Sequence, residues 1–139
     1  MLLKELNLEQ SKYFTRIISE FVTVDSNLAK EEKELIERYL KNFEISEEDI
    51  SKITIEDAIN SLCNSEMRIR KIVYFELLGI ALIDGEYETS EVDYLEDIAM
   101  KFEIKRADKI AFANYYFDYD NILKLSEEEK NNRLSKLLL

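Results

Sequence analysis

Two short acidic segments carry the side chains of this chain that are best suited to chemistry. The first runs from Asp25 to Glu32 and the second from Asp84 to Glu91, so an aspartate precedes a glutamate by seven positions in both. Alternating oxygen ligands with one carboxylate downstream are the arrangement by which proteins hold a hard cation. The pattern therefore predicts binding of a divalent cation such as Ca²⁺, Mg²⁺ or Mn²⁺. The candidate ligands are Asp84, Glu91, Glu86, Asp25 and Glu32.

The same acidic residues also have structural roles that need no ligand. The spacing is not that of an EF-hand, because Thr89 stands at the glycine position and Leu95 at that of the final glutamate. A glutamate in the first turn of a helix stabilises it by about 0.3–1 kcal/mol, and an aspartate before a turn accepts backbone N–H bonds. Two carboxylates ~4 Å apart repel by ~4 kcal/mol at an effective dielectric of 20. If Asp84 and Glu91 converge, a cation, a proton or several N–H donors must offset that repulsion, and the pattern leaves these alternatives open.

The acidic segments belong to a longer internal repeat. Asp84 lies 59 positions after Asp25, and the same shift places the Phe-Glu-Ile sequence of residues 102–104 on that of residues 43–45. Each copy is predicted to form a helix, an acidic turn and a second helix, over about residues 8–46 and 65–105. Two such hairpins can pack around one core, since neither buries its apolar stripe alone.

Helical periodicity and composition predict an all-α fold. The chain has 139 residues, no proline and two glycines, so a single helical domain covering residues 1–139 is expected. Gly79 lies inside the longest predicted helix at a cost of about 1 kcal/mol relative to alanine, which a close helix–helix contact would offset. Leu134, Leu137 and Leu138 are expected to dock the last helix onto the body. The predicted helices cover about 8–24, 30–42, 65–83, 89–102, 106–119 and 126–139, with a short helix near Thr54.

The second acidic segment also carries a resemblance to a known family. The pattern Ile80-Ala81-Leu82-Ile83-Asp84-Gly85, followed by Glu91, resembles the signature of the TerB-like family, which is named for a bacterial tellurite-resistance protein. The first copy is similar but has Ser26 in place of the glycine. The likeness spans most of residues 5–105. It implies a compact domain with pseudo-twofold symmetry, an acidic metal-associated site in each copy, and a role in tellurite or other stress responses.

Composition limits the function classes that fit. A net charge of −11 repels phosphate backbones and anionic membrane surfaces, so neither nucleic-acid binding nor membrane insertion is expected, and the localisation is expected to be cytoplasmic. With no histidine and no glycine-rich loop, the chain lacks a Ser-His or Cys-His pair and a phosphate loop. The lone Cys63 is expected to be buried and inert.

The leading hypothesis is a non-enzymatic stress-response module that acts through protein contacts and binds a divalent cation at its acidic turns. One alternative is a purely structural interaction domain, as a homo-oligomer or a subunit of a complex. A further alternative is a metal-dependent hydrolase, which would need an open cleft joining the two turns. The aromatic-rich segment of residues 112–119 offers a candidate protein-binding patch, formed by Tyr115, Tyr116 and Tyr119. The predicted core face of the same helix carries Ile110, Ala113 and Phe117. The basic cluster of residues 67–71 is predicted to be a solvated helix face.

Overall fold

The computed structural model describes residues 2–23, 29–83 and 89–139, except for the side chains of residues 23, 29–32 and 83. Helices are the only regular secondary structure in these described residues. The all-α prediction is therefore confirmed. A 3₁₀ turn, Leu2–Glu5, precedes the α-helices. These are α1 (Leu8–Thr23), α2 (Ala29–Phe43), α3 (Glu47–Ser51), α4 (Ile55–Cys63), α5 (Met67–Ile83), α6 (Thr89–Lys101), α7 (Arg106–Phe117), α8 (Tyr119–Ile122) and α9 (Glu127–Leu137).

Side-chain caps fix where several helices begin. At α3, the Ser46 hydroxyl accepts from the N–H of Asp49, and the Asp49 carboxylate accepts from the N–H of Ser46. This reciprocal capping box stabilises the first turn of α3. The sequence predicted no helix in this acidic stretch. The hydroxyls of Thr54 and Ser126 cap α4 and α9 by accepting from the N–H groups of Asp57 and Glu129, and the Ser126 hydroxyl also donates to the Glu129 carboxylate.

The helix bounds follow the 59-residue offset. α1 begins at Leu8 and α5 at Met67, and both α2 and α6 end in a Schellman motif. Glu44 and Glu103 have positive φ angles of 56° and 59°. The next residue donates its N–H back into the helix in both cases, Ile45 to the carbonyl of Leu40 at 3.0 Å and Ile104 to that of Ala99 at 2.9 Å. The shared Phe-Glu-Ile sequence thus encodes the same helix end twice. Common descent of the halves and a pseudo-twofold axis stay predictions.

The core lies around α1 and α5. α1 packs against α2, α3 and α4, and α5 packs against α6 and α7. Leu138 is buried, and Leu134 and Leu137 pack partly buried against the same core, which confirms the docking of the last helix. The largest fully buried side chains are Phe14, Phe102, Phe112, Ile17, Ile18, Leu62, Ile72, Leu77, Leu95, Ile98 and Ile122.

Helix α7 is oriented differently from the sequence prediction. Tyr115 is buried, with 7% of its surface exposed, and Tyr116 is half-buried beneath the rings around it. Ile110 and Phe117 are instead 51% and 74% exposed. The predictions of a tyrosine patch on the surface and of Ile110 and Phe117 in the core are therefore wrong. The aromatic face has more area to bury, so it faces the core.

The basic cluster at the start of α5 is solvated only in part: Arg68 is exposed, as predicted, whereas Arg70 and Lys71 are half-buried. Arg68 makes a two-pronged ion pair with Glu5, with Nε and Nη2 at 2.6 and 3.0 Å from the carboxylate oxygens. Arg70 donates to the carbonyl of Phe102 at 3.0 Å, at the end of α6. Lys71 lies 3.5 Å from the carboxylate of Asp108 on α7. These side chains tie α5 to its neighbours.

Candidate functional site

The described residues contain part of the predicted cation site. Asp25, Asp84 and Glu86 lie outside them. Glu32 lies in α2, but its side chain is not among those described. Glu91 lies in the first turn of α6 and is buried, with 6% of its surface exposed. Whether the five carboxylates converge therefore stays a prediction, and Glu91 is the member whose surroundings the structure defines.

The helix ends next to the two acidic segments lie side by side. Phe21, in the last turn of α1, packs its ring against that of Tyr94 in α6, with the centroids 5.4 Å apart. Tyr94 follows Glu91 by one helical turn and so shares its face of α6. The end of α1, two residues before Asp25, is thereby held against the first turns of α6. The helix ends that flank the two acidic segments therefore lie at one end of the fold.

The hydroxyl of Tyr94 has an unusual environment. It is buried, and the carboxylate of Glu20 is its hydrogen-bonding neighbour. Desolvation raises the pKa of Tyr94, and the nearby carboxylate of Glu20 raises it further. Glu20 and Tyr94 therefore bring oxygen atoms of α1 and α6 close together, one helical turn from Glu91.

The oxygen donors present suit a hard cation. Carboxylate and hydroxyl oxygens are ligands that Ca²⁺, Mg²⁺ and Mn²⁺ accept. Among the described residues no group of three or more acidic, cysteine or histidine side chains is assembled for a metal, so a complete site would need ligands from the acidic segments. Cys63 is half-buried and donates its thiol to the carbonyl of Lys101 at 3.4 Å. Desolvation raises its pKa, which disfavours the nucleophilic thiolate.

A surface groove lies between α5 and α7 and is called here the α5–α7 groove. The exposed Ile110 and Phe117 lie along it, and one side carries an ion pair between Lys109 and Glu96, 3.1 Å from nitrogen to oxygen. Exposed apolar area next to an apolar groove is typical of contact surfaces. Sequence reasoning missed this groove because it assigned Ile110 and Phe117 to the core. The apolar lining is Tyr74, Leu78, Leu82, Ile110, Ala113 and Phe117.

Sequence reasoning also missed Glu76. This residue lies in the middle of α5 and is half-buried, and desolvation raises the pKa of its carboxyl to about 7. The available signal was its position, a single carboxylate within the apolar run from Ile72 to Leu78.

No protein-family model matches this chain, and no curated protein or solved structure matches it either. In the part of the chain that the structure describes, none of the helices combines the length and the apolar character needed to span a bilayer. The resemblance to the TerB-like family thus rests on the residues quoted for it.

Proposed function

We propose that this chain is a non-enzymatic helical module of a bacterial stress response that acts through protein contacts and binds a divalent cation at its acidic segments. The observation that carries the protein-contact part is the exposed apolar face of α7 beside the α5–α7 groove. The stress-response part rests on the resemblance to the TerB-like family. The cation part rests on the carboxylate spacing of the two acidic segments.

The α7 face supports a contact surface for a physical reason. Ile110 and Phe117 lie about two helical turns apart on one face of α7, so they present one continuous strip to solvent. Burying a phenylalanine side chain stabilises a complex by about 1.5–3 kcal/mol, and large aromatic side chains are frequent anchors of interfaces. The neighbouring Lys109–Glu96 ion pair supplies a polar edge, as interfaces commonly have.

Photo-crosslinking tests this surface. A photoreactive phenylalanine analogue placed at Ile110, in cells of the source organism, is expected to give a discrete crosslinked product. The product should vanish when Phe117→Ser is added, and the same analogue at the exposed Asn131 of α9 should give none. No product at position 110, or the same products from position 131, would refute the contact surface.

The homo-oligomer alternative is separated by the molar mass of the purified chain. If the α7 face joins two copies, light scattering after size exclusion will give twice the chain mass, and Phe117→Ser will return it to the monomer. A monomeric wild type that still forms the crosslink assigns the surface to a different protein. The structural-domain alternative then differs from the proposed function only in its lack of cation binding.

The cation part is favoured by the carboxylate spacing around Glu91. Glu91 belongs to a segment with alternating carboxylates, an arrangement by which proteins hold a hard cation. The Tyr94 hydroxyl adds an oxygen atom one helical turn from Glu91. We place Asp84 and Glu91 as the principal ligands, with Glu86, Asp25 and Glu32 as further candidates.

Calorimetric titration with Ca²⁺, Mg²⁺, Mn²⁺ and Zn²⁺ tests this assignment. Saturable binding is expected for an oxygen-preferring cation, with loss in Asp84→Asn and in Glu91→Gln. Asp93→Asn is the matched control, because Asp93 is exposed in the same helix two positions from Glu91. Circular dichroism of each variant in chelator shows whether the fold persists. An absence of saturable heat, or equal binding by Glu91→Gln, would reject the cation site.

A further inference from the structure

A second groove, called here the Glu76 groove, lies between α2, α5 and α7, apart from the acidic segments. It is lined by Leu35, Arg38 and Tyr39 from α2, by Glu76 and Ile80 from α5, and by Tyr116 from α7. Its volume is about 290 Å³, at the small end of the range for ligand pockets, which begins near ~300 Å³. That size suits a small molecule.

Glu76 is a half-buried carboxylate in this groove with no ion pair or hydrogen bond to any other described residue. A carboxylate so placed loses hydration, and this desolvation raises its pKa, although the charge of the amino terminus lowers it. A positive group that binds in the groove would offset the lost hydration.

Arg38 supplies a positive group at the same groove. Its side chain is exposed, and it likewise has no ion pair or hydrogen bond within the described residues. Burial raises the pKa of the Tyr39 hydroxyl, the charge of Glu76 raises it further, and the charge of Arg38 lowers it. Both charges thus act on one hydroxyl, so the groove presents a negative and a positive group near Tyr39.

The aromatic walls of the groove are held rigidly. Tyr116 stacks on Phe75, with ring centroids 4.8 Å apart, and donates its hydroxyl to the carbonyl of Phe75 at 2.9 Å. Tyr39 meets the buried ring of Phe14 edge to face at 5.4 Å. Rigid aromatic faces beside a carboxylate favour an organic ammonium group, and they also provide area for an aliphatic side chain. Preformed walls reduce the ordering that binding requires.

We propose that the Glu76 groove binds a free amino acid with an aliphatic side chain, whose ammonium group pairs with Glu76 and whose carboxylate pairs with Arg38. The aliphatic side chain lies against Leu35, Ile80 and the Tyr116 ring. This ligand class uses both unpaired charges and the apolar lining. An amine alone would leave Arg38 unpaired, and a carboxylic acid alone would leave Glu76 desolvated.

Titration of ¹⁵N-labelled protein with leucine tests the proposal. The amides of Gly79, Ile80 and Tyr39 are expected to shift saturably. Two fragments of leucine serve as probes, isopentylamine, which lacks the carboxylate, and 4-methylpentanoate, which lacks the amine. Each is expected to bind at least tenfold more weakly than leucine, because each leaves one charge of the groove unpaired.

Matched variants assign the two charges. Glu76→Gln and Arg38→Gln are each expected to weaken leucine binding at least tenfold. Glu34→Gln and Lys41→Gln change exposed charges on the same helix as Arg38 and should leave binding unchanged. Leucine affinity should also rise from pH 6 to pH 7 as Glu76 ionises, because the tyrosine hydroxyls near the groove and the amino terminus, whose charge acts on Glu76, keep their protons over this interval.

Three results would overturn the proposal. One is the absence of any saturable shift with leucine. Another is leucine binding that Glu76→Gln leaves unchanged. The third is equal affinity for isopentylamine together with no effect of Arg38→Gln, which would show that no zwitterion is recognised. A loss of folding in Glu76→Gln would be visible by circular dichroism, and the Arg38→Gln and fragment comparisons would then decide.

Discussion

At the scale of single residues, Gly79 shows how one missing side chain positions a whole helix. A Cβ added at Gly79 would lie 2.5 Å from Cζ and from the hydroxyl oxygen of Tyr116. The tyrosine ring therefore packs directly on the α5 backbone. This contact between α5 and α7 is the close helix–helix approach that the mid-helix glycine predicted, and it also forms one wall of the Glu76 groove.

Replacing Gly79 by alanine is therefore expected to destabilise the protein. Alanine improves helix propensity by about 1 kcal/mol, but overpacking costs about 1–3 kcal/mol, and Tyr116 cannot move without losing its stack on Phe75. The expected net loss is about 1 kcal/mol, measured by urea unfolding. In a Tyr116→Ala background the clash is absent, so Gly79→Ala should stabilise. Stabilisation in both backgrounds would contradict the packing role of this glycine.

Glu76 is expected to make stability depend on pH near neutrality. Its pKa is raised from 4.5 to about 7 in the folded state, so between these values the folded protein binds more protons than the unfolded chain. Stability therefore falls as pH rises from about 5 to 8. The expected loss is about 1–3 kcal/mol, at ~1.4 kcal/mol for each unit of pKa.

Urea unfolding of the wild type and of Glu76→Gln at several pH values isolates this group. The glutamine variant should match the wild type near pH 5 and exceed it near pH 8. Glu34→Gln changes an exposed carboxylate, so its free energy of unfolding should change with pH in the same way as that of the wild type. A constant difference between Glu76→Gln and the wild type over this range would mean that Glu76 titrates at its ordinary pKa.

At the scale of elements, the two Schellman motifs are the clearest structural trace of the 59-residue period. Both place a glutamate, Glu44 or Glu103, in the left-handed region, which costs an L-residue about 1–2 kcal/mol. Glycine is the usual residue at that position. Because each motif holds a glutamate in the left-handed region, replacing that glutamate by glycine should stabilise both helix ends.

Glu44→Gly is expected to stabilise the protein by about 0.5–1 kcal/mol after allowing for the greater freedom of glycine in the unfolded chain. Glu103→Gly should stabilise less, because Glu103 also lies 3.4 Å from Nη1 of Arg70. Glu48→Gly, inside α3, is the control and should destabilise. Thermal or urea unfolding measures all three. Destabilisation by Glu44→Gly would contradict the assigned backbone geometry.

Most helix bounds could be predicted from the sequence, but the orientation of α7 could not. Periodicity places most helices within a residue or two, since capping side chains and apolar stripes are local signals. It failed for α7, because two faces of that helix are apolar and periodicity does not weigh Tyr115 and Tyr116 against Ile110 and Phe117. It also left Glu76 unassigned, because the burial of one carboxylate depends on how α2 and α7 pack against α5.

At the scale of the whole molecule, a net charge of −11 dominates the electrostatics. Exposed ion pairs such as Lys52–Glu48 contribute little to stability, whereas the excess of negative charge repels itself in the compact state. The Debye length shortens from ~30 Å at 0.01 M salt to ~10 Å at 0.1 M. Added NaCl is therefore expected to raise the free energy of unfolding.

Salt type separates this general screening from specific cation binding. At equal ionic strength, the cation identified by calorimetry should stabilise the wild type beyond NaCl, by about 2.7 kcal/mol when its concentration is 100 times the dissociation constant. Glu91→Gln should keep the NaCl effect and lose the additional stabilisation, whereas Asp93→Asn should keep both. Equal stabilisation by NaCl and by the divalent salt in all three proteins would mean that acidity serves solubility alone. The excess stabilisation links the charge of the whole molecule to one buried carboxylate, because screening acts on every exposed acid and only a bound cation requires Glu91.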